Sequence, residues 1–139
     1  MGKINVGRVI VGGLVAGLVV NISETILNLF VVAAPMEVAL KERNLPVLGM
    51  SPIVGFIVLA FVLGIATVWL YAAVRPRFGP GVETAVITGV VVWFFAYFYS
   101  GIGLTLMAFL PAKLMTITLA WGLVEIVLGS IAGAWLYQE

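Results

Sequence analysis

Residues 9–32, VIVGGLVAGLVVNISETILNLFVV, decide the fold of this chain. This stretch exceeds the ~20 apolar residues with which a helix crosses the hydrocarbon of a membrane. A polar stripe runs along one face of that helix, since its members recur every three or four residues: Gly13, Gly17, Asn21, Glu24 and Asn28. An ionisable side chain inside a span costs about 3 kcal/mol on insertion scales, which makes Glu24 a candidate functional residue.

The composition of the whole chain is that of an integral membrane protein. Of its 139 residues, 63% are hydrophobic and 9% are charged, whereas a soluble domain carries roughly 25% charged residues. Four apolar stretches are long enough to span a membrane: residues 6–33, 48–74, 82–109 and 114–137. The sequence therefore predicts one all-α domain, residues 1–139, with four transmembrane helices in an antiparallel bundle.

The amino acids that the chain lacks exclude several kinds of site. Cysteine, histidine and aspartate are absent, which removes disulfides, thiol chemistry, iron–sulfur clusters and the usual zinc and haem ligands. We therefore predict no metal and no cofactor. Seven Lys and Arg against six Glu supply no basic face for nucleic acid. The expected partners are the lipid bilayer and other helices, in a homo-oligomer or a larger membrane complex.

A second carboxyl, that of Glu125, lies near the middle of the fourth predicted span. It shares a helix face with Thr118, Trp121 and Gly129. No Lys or Arg occurs at comparable depth in any predicted span. Because hydrocarbon disfavours a charged carboxyl, we expect Glu24, Glu125 or both to carry a proton.

Two interpretations of these polar residues remain open. If the faces of Glu24 and Glu125 meet, the pair shares protons and suits proton-coupled transport, cation binding or a proton relay, with Asn21 and Asn28 as further ligands. Alternatively, the carboxyls and amides hold helices together by hydrogen bonds, which average about 0.6 kcal/mol between transmembrane helices.

Small and aromatic residues provide further candidates. Two small-xxx-small pairs predict close helix packing: Gly13 with Gly17, and Gly129 with Gly133. Candidate pocket aromatics are Trp93, Tyr97, Tyr99 and Trp121, although such residues also fill helix interfaces or face lipid. The long third stretch, which contains Gly101 and Gly103, is compatible with a tilted helix or with a break at these glycines.

Charge and repetition bear on topology. Lys3, Arg8, Arg75 and Arg77 share one side of the predicted membrane, against three basic residues on the other. This bias favours cytoplasmic termini, and we expect location in a bacterial inner membrane. The second and fourth stretches both end in Trp-Leu-Tyr, at residues 69–71 and 135–137. The repetition indicates either a duplicated two-helix hairpin or a shared interfacial composition.

Residues 21–24, Asn-Ile-Ser-Glu, resemble the N-x-x-E element of the MAPEG family, four-helix membrane glutathione transferases. The arginines that surround this element in that family are absent here, and the segment lies on the first helix rather than the second. Small multidrug transporters, which are also four-helix proteins, are similar in placing an essential Glu in the first helix, as Glu24 is placed here. The chain also resembles small four-span membrane proteins of bacteria.

Three functions follow as expectations from these patterns. The first is an accessory or assembly subunit that docks other helices through its glycine and asparagine faces, since no catalytic constellation is recognisable. The second is a proton-coupled transporter of a small molecule or ion that uses Glu24 and Glu125. The third, implied by the MAPEG resemblance alone, is a glutathione transferase.

Overall fold

The computed structural model describes residues 3–138, and all regular structure in this part of the chain is helical. The α-helices are α1 (Val6–Ile26), α2 (Ala33–Lys41), α3 (Met50–Phe78), α4 (Val82–Trp93), α5 (Tyr99–Leu106) and α6 (Ala112–Leu136). Two π-helical segments, Leu27–Val31 and Phe94–Phe98, continue α1 and connect α4 to α5. Four helices are long and apolar enough to cross a membrane: Val6–Val31, Met50–Phe78, Val82–Leu106 and Ala112–Leu136. The protein is therefore a four-helix integral membrane bundle, as predicted.

Local chemistry sets the helix ends. The Asn5 side chain accepts a hydrogen bond from the Arg8 backbone N–H at 3.2 Å and so caps the start of α1. The α3 helix runs four residues beyond the predicted boundary, since Pro76 is accommodated in its last turn. It ends where Gly79 turns to φ +87°, and the Gly79 N–H bonds the Arg75 carbonyl.

The third span is not broken at Gly101 or Gly103, because α5 continues through both glycines. Its irregularity is the π-helical segment Phe94–Phe98, which lies before them. A π-helical turn accommodates one extra residue, which changes the direction of the side chains around it. The orientation of Tyr97 depends on this segment.

The α1 helix packs against α3 and α6, and α6 packs in turn against α3, α4 and α5. Glycines permit these close approaches. A Cβ added to Gly64 would overlap the backbone of Gly13 and Gly17 across the α1–α3 interface. A Cβ at Gly129 would lie 3.2 Å from the Ala16 carbonyl oxygen of α1, and a Cβ at Gly133 would lie 2.8 Å from the Gly12 carbonyl oxygen and 2.5 Å from Val68 Cγ2 of α3. The four glycines proposed for packing therefore lie between helices of this same chain.

The bundle is closed along only part of its length. The α3 helix packs against α1 and α4, whereas the Phe94–Phe98 segment and α5 pack against α6. Residues 50–59, the first third of α3, are all exposed. This part of α3 therefore presents an apolar surface that the described part of the chain leaves uncovered.

Two buried tyrosines join the helix ends on the side that carries both termini. The rings of Tyr71 and Tyr137 meet edge to face, with centroids 6.1 Å apart. The Tyr71 hydroxyl accepts the Gly81 N–H at 3.1 Å, and the Tyr137 hydroxyl accepts the Asn5 N–H at 3.3 Å. Each tyrosine of the repeated Trp-Leu-Tyr triplet thus binds the residue that precedes a span. The two halves of the chain make matching contacts here.

A carboxyl pair between the first, third and fourth spans as the candidate functional site

Glu125 lies in the interior of the bundle. This residue is only 2% exposed and places a carboxyl group in the middle of the apolar helix α6. Oε1 accepts a hydrogen bond from the Tyr97 hydroxyl at 2.9 Å. Oε2 is also buried and has no hydrogen-bond partner of acceptable geometry within residues 3–138. A buried polar atom left unpaired costs about 1–3 kcal/mol, so this oxygen requires an explanation.

Tyr97 reaches Glu125 from the third span through two local features. It belongs to the π-helical segment Phe94–Phe98, whose extra residue redirects side chains. Its ring lies over Gly122, one helical turn before Glu125 on α6. A Cβ at Gly122 would lie 2.6 Å from Tyr97 Cδ1, closer than side-chain packing permits.

The Glu24 carboxyl is the acidic neighbour of Glu125. The two carboxyls interact electrostatically across the α1–α6 interface, so the structure brings these two predicted residues together. Glu24 Oε2 accepts a hydrogen bond from Asn28 Nδ2 at 2.8 Å. Glu24 is only partly buried, however, and Asn28 is exposed on the bundle surface. One carboxyl is thus enclosed, and the other reaches the protein surface.

Ser23 and Trp121 complete the surroundings of the pair. Trp121 Nε1 donates a hydrogen bond to Ser23 Oγ at 2.8 Å, which links α6 to α1. The Ser23 side chain also interacts with the Glu125 carboxyl. A serine hydroxyl that accepts from one neighbour can still donate its own proton to another.

Among the described residues, no lysine or arginine forms an ion pair with Glu24 or Glu125. Within residues 3–138, the ion pairs join Glu37 to Lys41 and Glu42 to Arg43, both outside the spans. The described residues also contain no cluster of three His, Cys, Asp or Glu that would suit a metal ion. Within the described part of the chain, the pair thus has neither a basic ion-pair partner nor a third acidic residue that could help to hold a metal ion.

The remaining predicted site residues lie apart from the pair. Asn21 Nδ2 donates to the Ile57 carbonyl of α3 at 3.2 Å. Trp93 Nε1 donates to the Leu119 carbonyl at 2.9 Å. Tyr99 is 73% exposed and points away from the bundle. The four candidate aromatics therefore do not line one pocket, and of them only Tyr97 and Trp121 lie at the carboxyl pair.

Sequence reasoning did not select Ser23 or Gly122 for the site. Ser23 precedes Glu24 directly, which is a usable signal once a polar stripe is recognised. Gly122 gives no such signal, because its importance comes from a ring on another span.

No family model, curated protein or solved structure matches this chain. The function is therefore inferred from the chemistry of the site.

Proposed function

We propose that this protein is a proton-coupled transporter of a small molecule or ion, with Glu24 and Glu125 as its proton-binding groups. The observation that supports this most directly is the enclosed Glu125 carboxyl. One of its oxygens is bonded to Tyr97, the other has no hydrogen bond of acceptable geometry among the described residues, and a second carboxyl lies beside it. Intramembrane carboxyls without a counter-ion are typical of proton relays and ion pathways.

The electrostatics of the pair favour proton exchange over a fixed structural role. Two adjacent carboxylates repel each other in a low-dielectric interior, and a proton or cation bound at the pair relieves this repulsion. Glu24 reaches the bundle surface and provides the route by which a proton or cation arrives. Glu125 is enclosed and provides the site at which it is held.

The division of the site between the two halves of the chain also supports transport. Glu24 belongs to the first helix pair, and Tyr97 and Glu125 belong to the second. A movement of one half against the other would change the separation of the carboxyls. Repeats related by an axis along the membrane normal move in this manner in known carrier architectures.

For orientation, we propose that the end with both termini is cytoplasmic and that the membrane is a bacterial inner membrane. The basic residues Lys3, Arg8, Arg75 and Arg77 at that end support this assignment through the positive-inside rule.

The test uses proteoliposomes that contain a trapped pH indicator. Mixtures of metabolites and salts are added outside the proteoliposomes. The mixtures that change the internal pH when the wild-type protein is present are then used to compare variants. Glu125→Gln keeps the side-chain shape but cannot ionise as a carboxyl does. It is expected to abolish the proton movement. Glu83→Gln is the matched control, since Glu83 is an exposed carboxyl in the first turn of α4. Equal proton movement with wild type and Glu125→Gln would contradict the proposal.

A second candidate, an accessory subunit, is favoured by one observation. Residues 50–59 of α3 are all exposed, and this face can bind another helix in a homo-oligomer or a larger membrane complex. The glycine faces are already occupied by helices of the same chain, so a partner would dock on α3. Native mass spectrometry after gentle extraction tests this: a heteromer of fixed composition supports the accessory role, and a monomer contradicts it.

A further inference from the structure

We propose that Tyr97 is a positioning residue that covers Glu125 and controls access to its carboxyl, and that Gly122 provides the space in which the Tyr97 ring lies. The inference rests on the proposed function and assigns the regulation of the same site. It gives a role to an otherwise unexplained combination: a π-helical segment, a ring on a glycine, and a buried carboxyl bonded at one oxygen.

The π-helical segment Phe94–Phe98 has the sequence FFAYF. Tyr97 is its one residue with a polar side-chain atom, and that atom is directed at Glu125 rather than at solvent. Phe94 and Phe95 are exposed on the other side of the span. A π-helical turn is frequent at functional sites because it redirects particular side chains. Here the redirected hydroxyl meets the one enclosed carboxyl described in the spans.

The close contact at Gly122 is made by the Tyr97 ring in particular. The three atoms nearest to a Cβ at Gly122 are Cδ1, Cε1 and Cγ of Tyr97, at 2.6, 2.9 and 3.4 Å. All three belong to one side chain. An alanine at this position would therefore displace the Tyr97 ring in particular, whereas an alanine at Gly64 would push two helices apart. A displaced ring could not keep its hydroxyl 2.9 Å from Glu125 Oε1.

The Tyr97 side chain lies against the Glu125 carboxyl and covers Oε1. With Tyr97 in place, Glu125 is enclosed and its neighbouring carboxyl, Glu24, is the accessible member of the pair. Rotation of the Tyr97 side chain removes both the hydrogen bond and the cover over Oε1. Glu125 is thus closed when the Tyr97 ring covers it and open when the ring has rotated away. The hydrogen bond from Tyr97 stabilises the closed state relative to the open one.

The test measures how fast a hydrophobic carbodiimide modifies Glu125 in the purified full-length protein. Protonated carboxyls react, and peptide mass spectrometry reads each site separately. The exposed carboxyl of Glu83 in the same sample is the reference for reagent activity. We expect Tyr97→Phe to accelerate modification of Glu125 relative to Glu83 about threefold, which corresponds to about 0.6 kcal/mol, the average strength of a hydrogen bond between transmembrane helices. Tyr97→Ala, which also removes the cover, is expected to react faster still.

Gly122→Ala provides the decisive comparison. We expect it to accelerate Glu125 modification in the wild-type background and to have no effect in the Tyr97→Ala background, because its action passes through the Tyr97 ring. Circular dichroism of each variant confirms that the helices are retained. If Gly122→Ala does not fold, the series of wild type, Tyr97→Phe and Tyr97→Ala still decides the result.

The outcomes separate the two proposals. Equal Glu125 modification in wild type and all Tyr97 variants overturns the role of Tyr97 and leaves the proton-binding function standing. Lower thermal stability without any change in the Glu125-to-Glu83 ratio also overturns it, because packing alone would produce that result. If Glu125 stays unmodified in Tyr97→Ala even in acidic buffer, Glu125 is not an exchangeable carboxyl, and both proposals fail.

Discussion

Substitution of Gly64 by alanine tests how closely α1 and α3 approach. A Cβ at this position would overlap the carbonyl oxygen of Gly13 and the backbone nitrogen of Gly17. Neither is a side-chain atom that can rotate away, so the two helices must separate. Overpacking typically costs about 1–3 kcal/mol, and a clash with backbone belongs at the upper end of that range. Replacement of a helical glycine returns up to about 1 kcal/mol through helix propensity. The expected net destabilisation is therefore about 2 kcal/mol.

The matched control for this experiment lies on the same helix. A Cβ at Gly55 would meet nothing within 4 Å, so Gly55→Ala has the propensity gain without the clash and is expected to be neutral or up to about 1 kcal/mol more stable. The two variants should differ by about 3 kcal/mol. Unfolding by SDS titration in mixed micelles, followed by tryptophan fluorescence, measures this difference. Equal stability of Gly64→Ala and Gly55→Ala would refute the close α1–α3 contact.

Three further predictions concern other contacts. The Lys41 ammonium, hydrogen-bonded to Glu37 at 2.7 Å, holds the pKa of that carboxyl below its ordinary value of 4.5. The small stabilisation from this pair is therefore present above pH 4.5 and is lost as the pH falls through the lowered pKa. In an NMR titration, Lys41→Met should return the titration midpoint of Glu37 toward 4.5. Ser130→Ala removes a buried hydroxyl that donates to the Ala85 carbonyl at 2.7 Å. We expect the free energy of unfolding in SDS to fall by about 0.6 kcal/mol. An unchanged free energy of unfolding would contradict this hydrogen bond. The Arg43 guanidinium donates to the carbonyl of Ala39 in α2 and to that of Ala108 in the turn after α5, each at 2.9 Å. Arg43→Met removes both bonds and should accelerate amide hydrogen exchange in α2 without affecting α6.

Hydropathy alone predicted the number and approximate placement of the spans, because length and apolar content are properties of each segment by itself. The boundaries were less predictable. The second span passes Pro76 and ends two residues later, although a proline removes its own hydrogen bond to the carbonyl four residues earlier and commonly ends a helix. The π-helical segments were not predicted, because an apolar sequence such as FFAYF is equally typical of an α-helix and of a π-helical segment.

Helix spacing assigned Glu24 and Glu125 each to a helix face, but it could not show that those faces meet. Their meeting depends on α6 packing beside α1, which is a property of the whole bundle. The same limitation applied to Asn21, which shares the Glu24 stripe yet bonds to α3. Gly122 is the extreme case, because its role depends on a ring that arrives from another span.

The tyrosine contacts make the path of the chain nearly circular. Tyr71 binds the start of the third span through Gly81, which follows it closely in sequence, and Tyr137 binds the start of the first span through Asn5 in the same way. The fourth span therefore ends where the first begins, although 132 residues separate Tyr137 from Asn5. A circular permutant that starts at Gly81 and joins Tyr137 to Asn5 through a short flexible linker is expected to fold into the same bundle.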